Sequence, residues 1–310
     1  MTAPSVRIGT RGTRLALAQA NEVRRCLAEA HKELAGEKAI EVRIIRTSGD
    51  RLQQGSLSEV GGKGLFTKEI EKALLDNEID IAVHSMKDVP TWLPDGLEIS
   101  CFLPRADPRD ALISPGAKSI ESLPEGITVG TASLRRKAML LHRRPDVRVV
   151  SIRGSVDTRL AKLSSGVVDA TFLAVAGLNR LGCRQIGAVP IDPEEMLPAV
   201  CQGIIGVERR SEDVHLASIL SPLHDVDTEK QVIAERALLG ALDGSCRTPI
   251  AAFAEFDHGK ICLRAAIVRP DGSELLETKR FGLPAEAAAL GRDAAAELRH
   301  RAAPGFFDNE

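Results

Sequence analysis

Apolar and polar positions along the first two thirds of the chain follow two periods, one of strands and one of helices. Val6–Ile8 reads as a short strand, followed by a helix from about Thr13, and "IEVRIIRTSGD" alternates as a strand. In "GLFTKEIEKALLDNE" the apolar residues Phe66, Ile70, Ala73 and Leu74 fall at i, i+4, i+7 and i+8, the spacing of an amphipathic helix. "IDIAVHSM" is then a strand. The pattern repeats with a strand at Thr128–Gly130, helix "SLRRKAMLLHRR", strand "VRVVSI", helix "VDTRLAKLSSG" and strand "ATFLAVA". Such alternation favours mostly parallel sheets covered by helices.

The last third changes character. A helix around Thr228–Leu242 precedes strand-like runs at Ile250–Phe256, Ile261–Val268 and Glu274–Phe281, with "DHGK" and "RPDG" as turns, and a helix over about Ala285–Arg301. This order predicts a small α+β domain with a three-stranded antiparallel sheet. Two Pro- and Asp-rich stretches, Phe102–Leu112 and Pro190–Gly203, punctuate the α/β region. Two crossings between the same pair of lobes give a double crossover. The expected domains are 1–103 with 204–221, 109–197, and 226–310.

Composition narrows the possibilities. The 310 residues are 44% hydrophobic and 27% charged, ordinary for a globular protein, and the formal net charge is -2. No global basic field is present to draw nucleic acid, so an anion site has to be built locally. The six cysteines are scattered without a C-x-x-C pair, which argues against zinc and against a disulfide framework. Arginines interrupt the N-terminal segment, and no stretch approaches the roughly 20 apolar residues of a membrane span. The expectation is a cytoplasmic protein without metal, membrane or nucleic-acid partners. The lack of an apolar surface helix favours a monomer.

Three strand-to-helix junctions, "IGTRGTRLAL", "GTASLRRKAM" and "SIRGSVDTRL", each combine a small-residue turn, an N-cap (Thr13, Ser133, Ser155) and arginines. Arg11, Arg14, Arg135, Arg136, Arg153 and Arg159 stand near helix ends that already carry partial positive charge. Each alone reads as a solvated or paired cation. Three together read as a site for a polyanionic ligand, with backbone N–H groups and guanidinium forks facing carboxylates or phosphates. None matches a nucleotide-binding glycine signature. "VHSMKDVP" supplies His84, Ser85, Lys87 and Asp88 at a strand end, and Asp88 is its carboxylate among cations. Asp88 either pairs with Lys87 or handles a proton or a positive intermediate. Cys246, in "LDGSCRTPIA", sits between turn-forming residues, where a buried apolar role is least expected.

These segments, with "GGKGLFTKEIE", "DIAVHSMKDVP", "LPRADPRDAL", "GTASLRR", "IRGSVDTRL", "AVAGLNRLG", "CQG" and "GSCRTPIA", closely resemble the porphobilinogen deaminases, also called hydroxymethylbilane synthases. The resemblance runs through nearly the whole chain and is weakest after about residue 255. It implies two periplasmic-binding-protein-like α/β lobes with a double crossover, plus a small C-terminal α+β domain. It implies a transferase that joins four porphobilinogen molecules head to tail, releasing ammonia, on a covalently held dipyrromethane primer. Cys246 matches the attachment position and Asp88 the catalytic aspartate. Arg11, Thr13, Lys63, Ser85, Lys87, Thr131, Ser133, Arg135, Arg136, Arg153, Arg159, Arg180 and Gln202 would hold the acetate and propionate groups. Leu52–Gly62 would form a lid, with Phe66 near the pocket.

Some positions depart from the family pattern. Thr13 replaces a common serine, Ser155 a common asparagine, Glu59 a lysine of some relatives, and Cys201 and Ile204 stand where alanines are frequent. Cys201 is expected to be packing. Two other function classes are open to the residues alone. An anion-binding module would need the arginines but neither Asp88 nor Cys246. A Cys–His hydrolase would need a histidine partner for Cys246 that the sequence does not place nearby.

Overall fold

The structure, a computed structural model, describes residues 6–51, 64–183, 186–244 and 248–308. In chain order, β1 (Val6–Thr10), α1 (Arg14–Ala30), β2 (Ile40–Ile44), α2 (Ser48–Arg51), α3 (Lys68–Leu75), β3 (Ile81–Ser85) and β4 (Leu97–Phe102) come first. Then come β5 (Asp110–Ile113), β6 (Thr128–Gly130), α4 (Leu134–Arg143), β7 (Arg148–Val150), α5 (Val156–Ser164), β8 (Ala170–Ala174), α6 (Val175–Arg180) and β9 (Val189–Pro190). The chain ends with β10 (Ile205–Arg210), α7 (Val214–Leu220), α8 (Val226–Ala241), β11 (Ile250–Asp257), β12 (Lys260–Val268), β13 (Leu275–Gly282) and α9 (Ala287–Arg301).

Two compact units result, Met1–Arg105 with Ile204–Glu229, and Ala106–Gly203 with Lys230–Glu310. In the first, a five-stranded sheet has the order β2-β1-β3-β10-β4. Thr13 caps α1 by accepting from the Ala16 amide at 3.2 Å, and α1 buries Ala16, Ala20, Val23 and Leu27. Val23 and Leu27 pack on Ile8, Ile81, Val83, Ile205 and Val207 of the sheet. On the opposite face, Ile70 and Leu74 of α3 pack on Ala82 and Leu97.

The second unit holds a five-stranded sheet of order β7-β6-β8-β5-β9 and a three-stranded sheet β11-β12-β13. The "DHGK" turn closes the β11–β12 hairpin, with His258 at φ 47° and Gly259 at φ 78°. Two successive positive φ values match the twist of a two-residue hairpin. Ala251, Phe253, Ala266 and Val268 of the antiparallel sheet share one core with Leu112, Val129 and Phe172 of the five-stranded one and with Leu140 of α4.

The expectation of mostly parallel sheets needs correction. β1 pairs parallel with β2 and β3, but β10 runs antiparallel to both β3 and β4. Likewise β6 is parallel to β7 and β8, while β5 is antiparallel to β8 and β9. The crossovers are the cause. β10, the strand that brings the chain back from the second unit, enters the first sheet from the opposite direction, between β3 and β4.

The return crossover has strict backbone demands. Gly203 has φ +92°, and a Cβ there would lie 2.5 Å from the Ala106 carbonyl oxygen. Cys201 takes φ 58°, is buried, and donates its N–H to the Glu235 carboxylate at 2.5 Å. The other Glu235 oxygen accepts from the Ala254 amide at 2.7 Å. Glu235, fully buried on α8, thus ties the crossover and β11 to one helix. Among the described residues no helix is long and apolar enough to cross a membrane.

Glu235→Ala is expected to leave two buried amides without this acceptor and to lower unfolding free energy by roughly 2–5 kcal/mol. Urea unfolding of the variant and wild type measures it. A loss below about 1 kcal/mol would mean that water or a neighbouring group satisfies both amides.

Candidate active site

The end of β3 is built to hold a turn in one position. Met86 opens a single 3-10 turn, Met86–Asp88, and is 1% exposed. Its sulfur lies over Gly206, where a Cβ would come within 2.2 Å. Its amide donates to the Ile204 carbonyl at 3.0 Å, and Ser85 pairs with the Gln19 side chain at 2.8 Å. The turn brings Asp88 to a cavity of ≈ 60 Å³ that is also lined by Arg11, Thr13, Phe66, His84 and Ser85. Arg11 stacks its guanidinium 4.2 Å from the Phe66 ring centroid, a cation–π contact. Asp88 is half-buried, and no hydrogen bond to its carboxylate comes from the described residues.

The second unit gathers another set. Ser133 caps α4 by accepting from the Arg136 amide at 3.4 Å, and Thr131 Oγ1 accepts from the Ser133 amide at 3.2 Å. α4 then turns Arg135 and Arg136 inward, to 4% and 5% exposure. Both meet Asp110, which is fully buried at the start of β5. Arg135 Nη2 donates at 2.6 Å, Arg136 Nη2 at 2.7 Å, and Gln202 Nε2 at 2.9 Å. Burial works against the Asp110 charge, but Arg135 and Arg136 overcome it and hold its carboxyl well below the usual carboxylate range. Two guanidinium groups against one carboxylate leave the group one positive charge in excess. Arg135 Nε is buried with no partner among the described residues.

Ser155 caps α5 through the Thr158 amide at 3.2 Å, so the hydroxyl in place of an asparagine keeps the cap. Arg159 Nε donates to the Gly154 carbonyl at 3.0 Å, and Arg153 Nε is buried with no partner among the described residues. Arg180 directs both terminal nitrogens at the Gly203 carbonyl, each at 3.4 Å.

The structure therefore brings Arg11, Thr13, Ser85, Phe66 and Asp88 together at one cavity. It gathers Arg135, Arg136 and Gln202 around Asp110. Lys87 is half-buried beside Asp88 but is not part of the cavity lining. Lys63, Cys246 and the Leu52–Gly62 segment with Glu59 lie outside the described residues. The sequence places Arg135 and Arg136 at a helix start among carboxylate-binding cations; their burial against Asp110 makes both structural as well, so for Arg135 the expectation that its removal harms priming or elongation more than folding needs correction. Asp110 and Glu208 were missed. The available signal was a carboxylate inside an apolar strand run, "RDALI" and "IIGVERR", which demands a buried partner. The cationic, hydroxyl-capped surroundings fit a carboxylate-bearing group such as a dipyrromethane.

Asp110→Asn is expected to cost on the order of 3–5 kcal/mol near neutral pH, because it breaks a buried ion pair from one side. Asp110 has a depressed folded pKa, so its contribution is complete above the unfolded value of about 3.9 and is lost as pH falls through the folded one. The stability difference between wild type and variant should be constant above about pH 5 and shrink below about pH 4. Urea midpoints across pH check it; a difference that stays flat through the acid range contradicts the assignment.

Two family descriptions match this chain. Porphobilinogen deaminase, dipyromethane cofactor binding domain, covers residues 6–218, and Porphobilinogen deaminase, C-terminal domain, covers 230–300. The porphobilinogen deaminase of Paracoccus denitrificans (strain Pd 1222) is 55% identical over 98% of this chain and 96% of its own length. The chloroplastic porphobilinogen deaminase of Pisum sativum is 51% identical over 98% of this chain and 84% of its own. Among solved structures, an ancestral cationic amino acid solute binding protein aligns with TM-score 0.43 at 15% identity, over 70% of this chain and 87% of that one. The chain belongs to the porphobilinogen deaminase family, the hydroxymethylbilane synthases of tetrapyrrole biosynthesis, and carries that family's dipyrromethane-binding domain.

Proposed function

We propose that Asp88 is the catalytic carboxylate and Cys246 the attachment point of the dipyrromethane in this hydroxymethylbilane synthase. The observation that carries the reading is the cavity at the end of β3, where Asp88 stands beside Arg11, Thr13 and Ser85. When bound, the dipyrromethane supplies the carbon end from which the chain grows. Asp88 assists departure of ammonia from the aminomethyl group of porphobilinogen and stabilises the azafulvenium cation left behind, which a fixed negative charge in a poorly hydrated pocket does well. Arg11, Thr13, Ser85 and Lys87 in the first unit hold acetate and propionate groups. Thr131, Ser133, Arg153, Arg159, Arg180 and Gln202 do the same in the second, and Lys63 adds a further cation to the set. Arg135 and Arg136 contribute the excess positive charge of their cluster with Asp110.

The burial of three described cysteines supports Cys246 as the anchor. Cys101, Cys201 and Cys262 are buried, and burial pushes the Cys101 thiol up to about 12. A thiol so disfavoured as thiolate is a poor nucleophile. We further propose the three-domain division given above, supported by the separate family match that begins at residue 230. The Leu52–Gly62 lid, a monomeric state and a cytoplasmic location complete the reading.

Cys246→Ser is expected to leave a folded protein without covalent pyrrole. Intact mass should differ from wild type by the adduct plus the sulfur-to-oxygen change; a difference of the atom change alone would move the anchor elsewhere.

Asp88→Asn keeps the shape and removes the charge. Single-turnover kinetics on already primed protein should show a loss of about 10²-fold or more, with substrate affinity much less affected. Asp88→Glu should keep part of the activity, since displacement by about 1 Å costs up to about 10²-fold. Turnover of primed Asp88→Asn within a few-fold of wild type would reduce Asp88 to a structural partner of its cationic neighbours.

A further inference from the structure

The wall of the same cavity contains a second titratable group, which the reading above does not use. His84 lines the cavity and is 5% exposed. Its Nε2 lies 2.9 Å from Oε2 of Glu208, which is 1% exposed. The sheet register explains the pairing. Gly206 of β10 stands opposite His84 and Glu208 opposite Ala82, so His84 and Glu208 share the face on which α3 packs. From α3 the buried Glu71 faces the same group. Burial, with the Glu208 charge adding to it, pushes the Glu71 carboxyl up toward its neutral form. The remaining Glu208 oxygen, Oε1, is buried with no partner among the described residues. Among the described residues, the titratable and charged groups that face the imidazole are Glu71 from α3, Glu208 from β10, and Arg11 and Asp88 of the cavity lining.

A carboxylate that accepts from Nε2–H fixes the neutral imidazole as the Nε2–H tautomer and leaves Nδ1 with a free lone pair. No described residue hydrogen-bonds His84 Nδ1. The arrangement is a base held in one orientation by a buried anion, in the wall of the cavity that Asp88 enters.

The reaction requires such a group. Porphobilinogen enters with an ammonium on its aminomethyl carbon; the C–N bond breaks and its electron pair leaves with ammonia. The free α-carbon of the bound chain then forms the new C–C bond while still bearing its hydrogen. That ring regains aromaticity only when this proton departs, the electron pair of the C–H bond returning to the ring. Ammonia and the released proton together make up one ammonium per step, so no oxidant or other reactant is needed.

We propose that His84 Nδ1 accepts the α-proton released after each C–C bond forms, with Glu208 as the positioning residue that sets its tautomer. Asp88 and His84 then divide the work. The Asp88 carboxylate stabilises the cation, and the His84 imidazole takes the proton and passes it to solvent or ammonia. This rests on the assignment of the Asp88 cavity as the reacting site.

The test has a direct arm and a kinetic arm. Nitrogen-15 NMR of the imidazole, in unprimed and in primed enzyme near neutral pH, should show His84 as the Nε2–H tautomer with Nδ1 bare; an imidazolium or an Nδ1–H tautomer overturns the proposal. In the kinetic arm, His84→Gln is primed from and supplied with porphobilinogen deuterated at the free α-carbon. Turnover should fall by on the order of 10²-fold or more, with a deuterium effect larger than that of wild type, because proton loss now limits the rate. Turnover within a few-fold of wild type, or a loss with no larger deuterium effect, overturns it. Should His84→Gln fail to fold or to acquire its primer, Glu208→Gln carries the same isotope criterion with a smaller loss in rate. Asp88→Asn run in parallel separates the two assignments: if it is crippled while His84→Gln is normal, the His84 role alone falls; if both are normal, the cavity is not the reacting site.

Discussion

An ionised carboxylate in a protein interior must be met by opposite charge or by hydrogen bonds, because desolvation otherwise exceeds anything packing returns. Asp110 is where this constraint is most severe. It is fully buried and gathers two guanidinium groups and an amide from α4 and from the segment preceding β10. By doing so it fixes the start of β5, the first turn of α4 and Gln202 relative to one another. The capped turns at Thr131 and Ser133 inherit that fixed frame. Glu235 applies the same rule to backbone amides instead of cations, and Glu208 applies it to an imidazole.

The helix starts follow a related logic. Thr13, Ser133 and Ser155 each satisfy an amide of the first turn, which leaves the end of the helix positive but not fully solvated. Arginines placed nearby raise a positive potential that local stability alone would not select. Some of that potential is already answered inside the protein, by Asp110 and by the Gly154 and Gly203 carbonyls. What remains suits a ligand that gains carboxylates as it grows.

Periodicity made α3 and the β11–β13 hairpins legible, because each has a strong pattern within one short window and the "DHGK" turn marks its own geometry. The motif around Asp88 and the caps at Thr13, Ser133 and Ser155 were legible for the same local reason. β4, β5 and β10 were not. They are short, flanked by proline or charge, and their pairing depends on partners far along the chain. The run "RDALI" signals that Asp110 needs a buried partner, but which partner could not be read from sequence, because Arg135 and Arg136 lie 25 and 26 residues away. His84 and Glu208 are 124 residues apart, and a strand inserted by a return crossover is what joins them. The inward turn of Arg135 and Arg136 was likewise invisible: an arginine at a helix start looks the same in sequence whether it faces water or a buried aspartate.

The insertion of β10 between β3 and β4 also matters during synthesis on the ribosome. β3 and β4 emerge long before the strand that bridges them. At about 5–20 residues per second, the intervening stretch of roughly 100 residues takes about 5–20 s to make. Throughout that interval the nascent first sheet presents two unpaired edges, each able to pair with the wrong strand. The second sheet, β7-β6-β8-β5-β9, is drawn entirely from that intervening stretch, so it can close while the first still waits. The order of synthesis thus favours completion of the middle of the polypeptide before the sheet of its first unit.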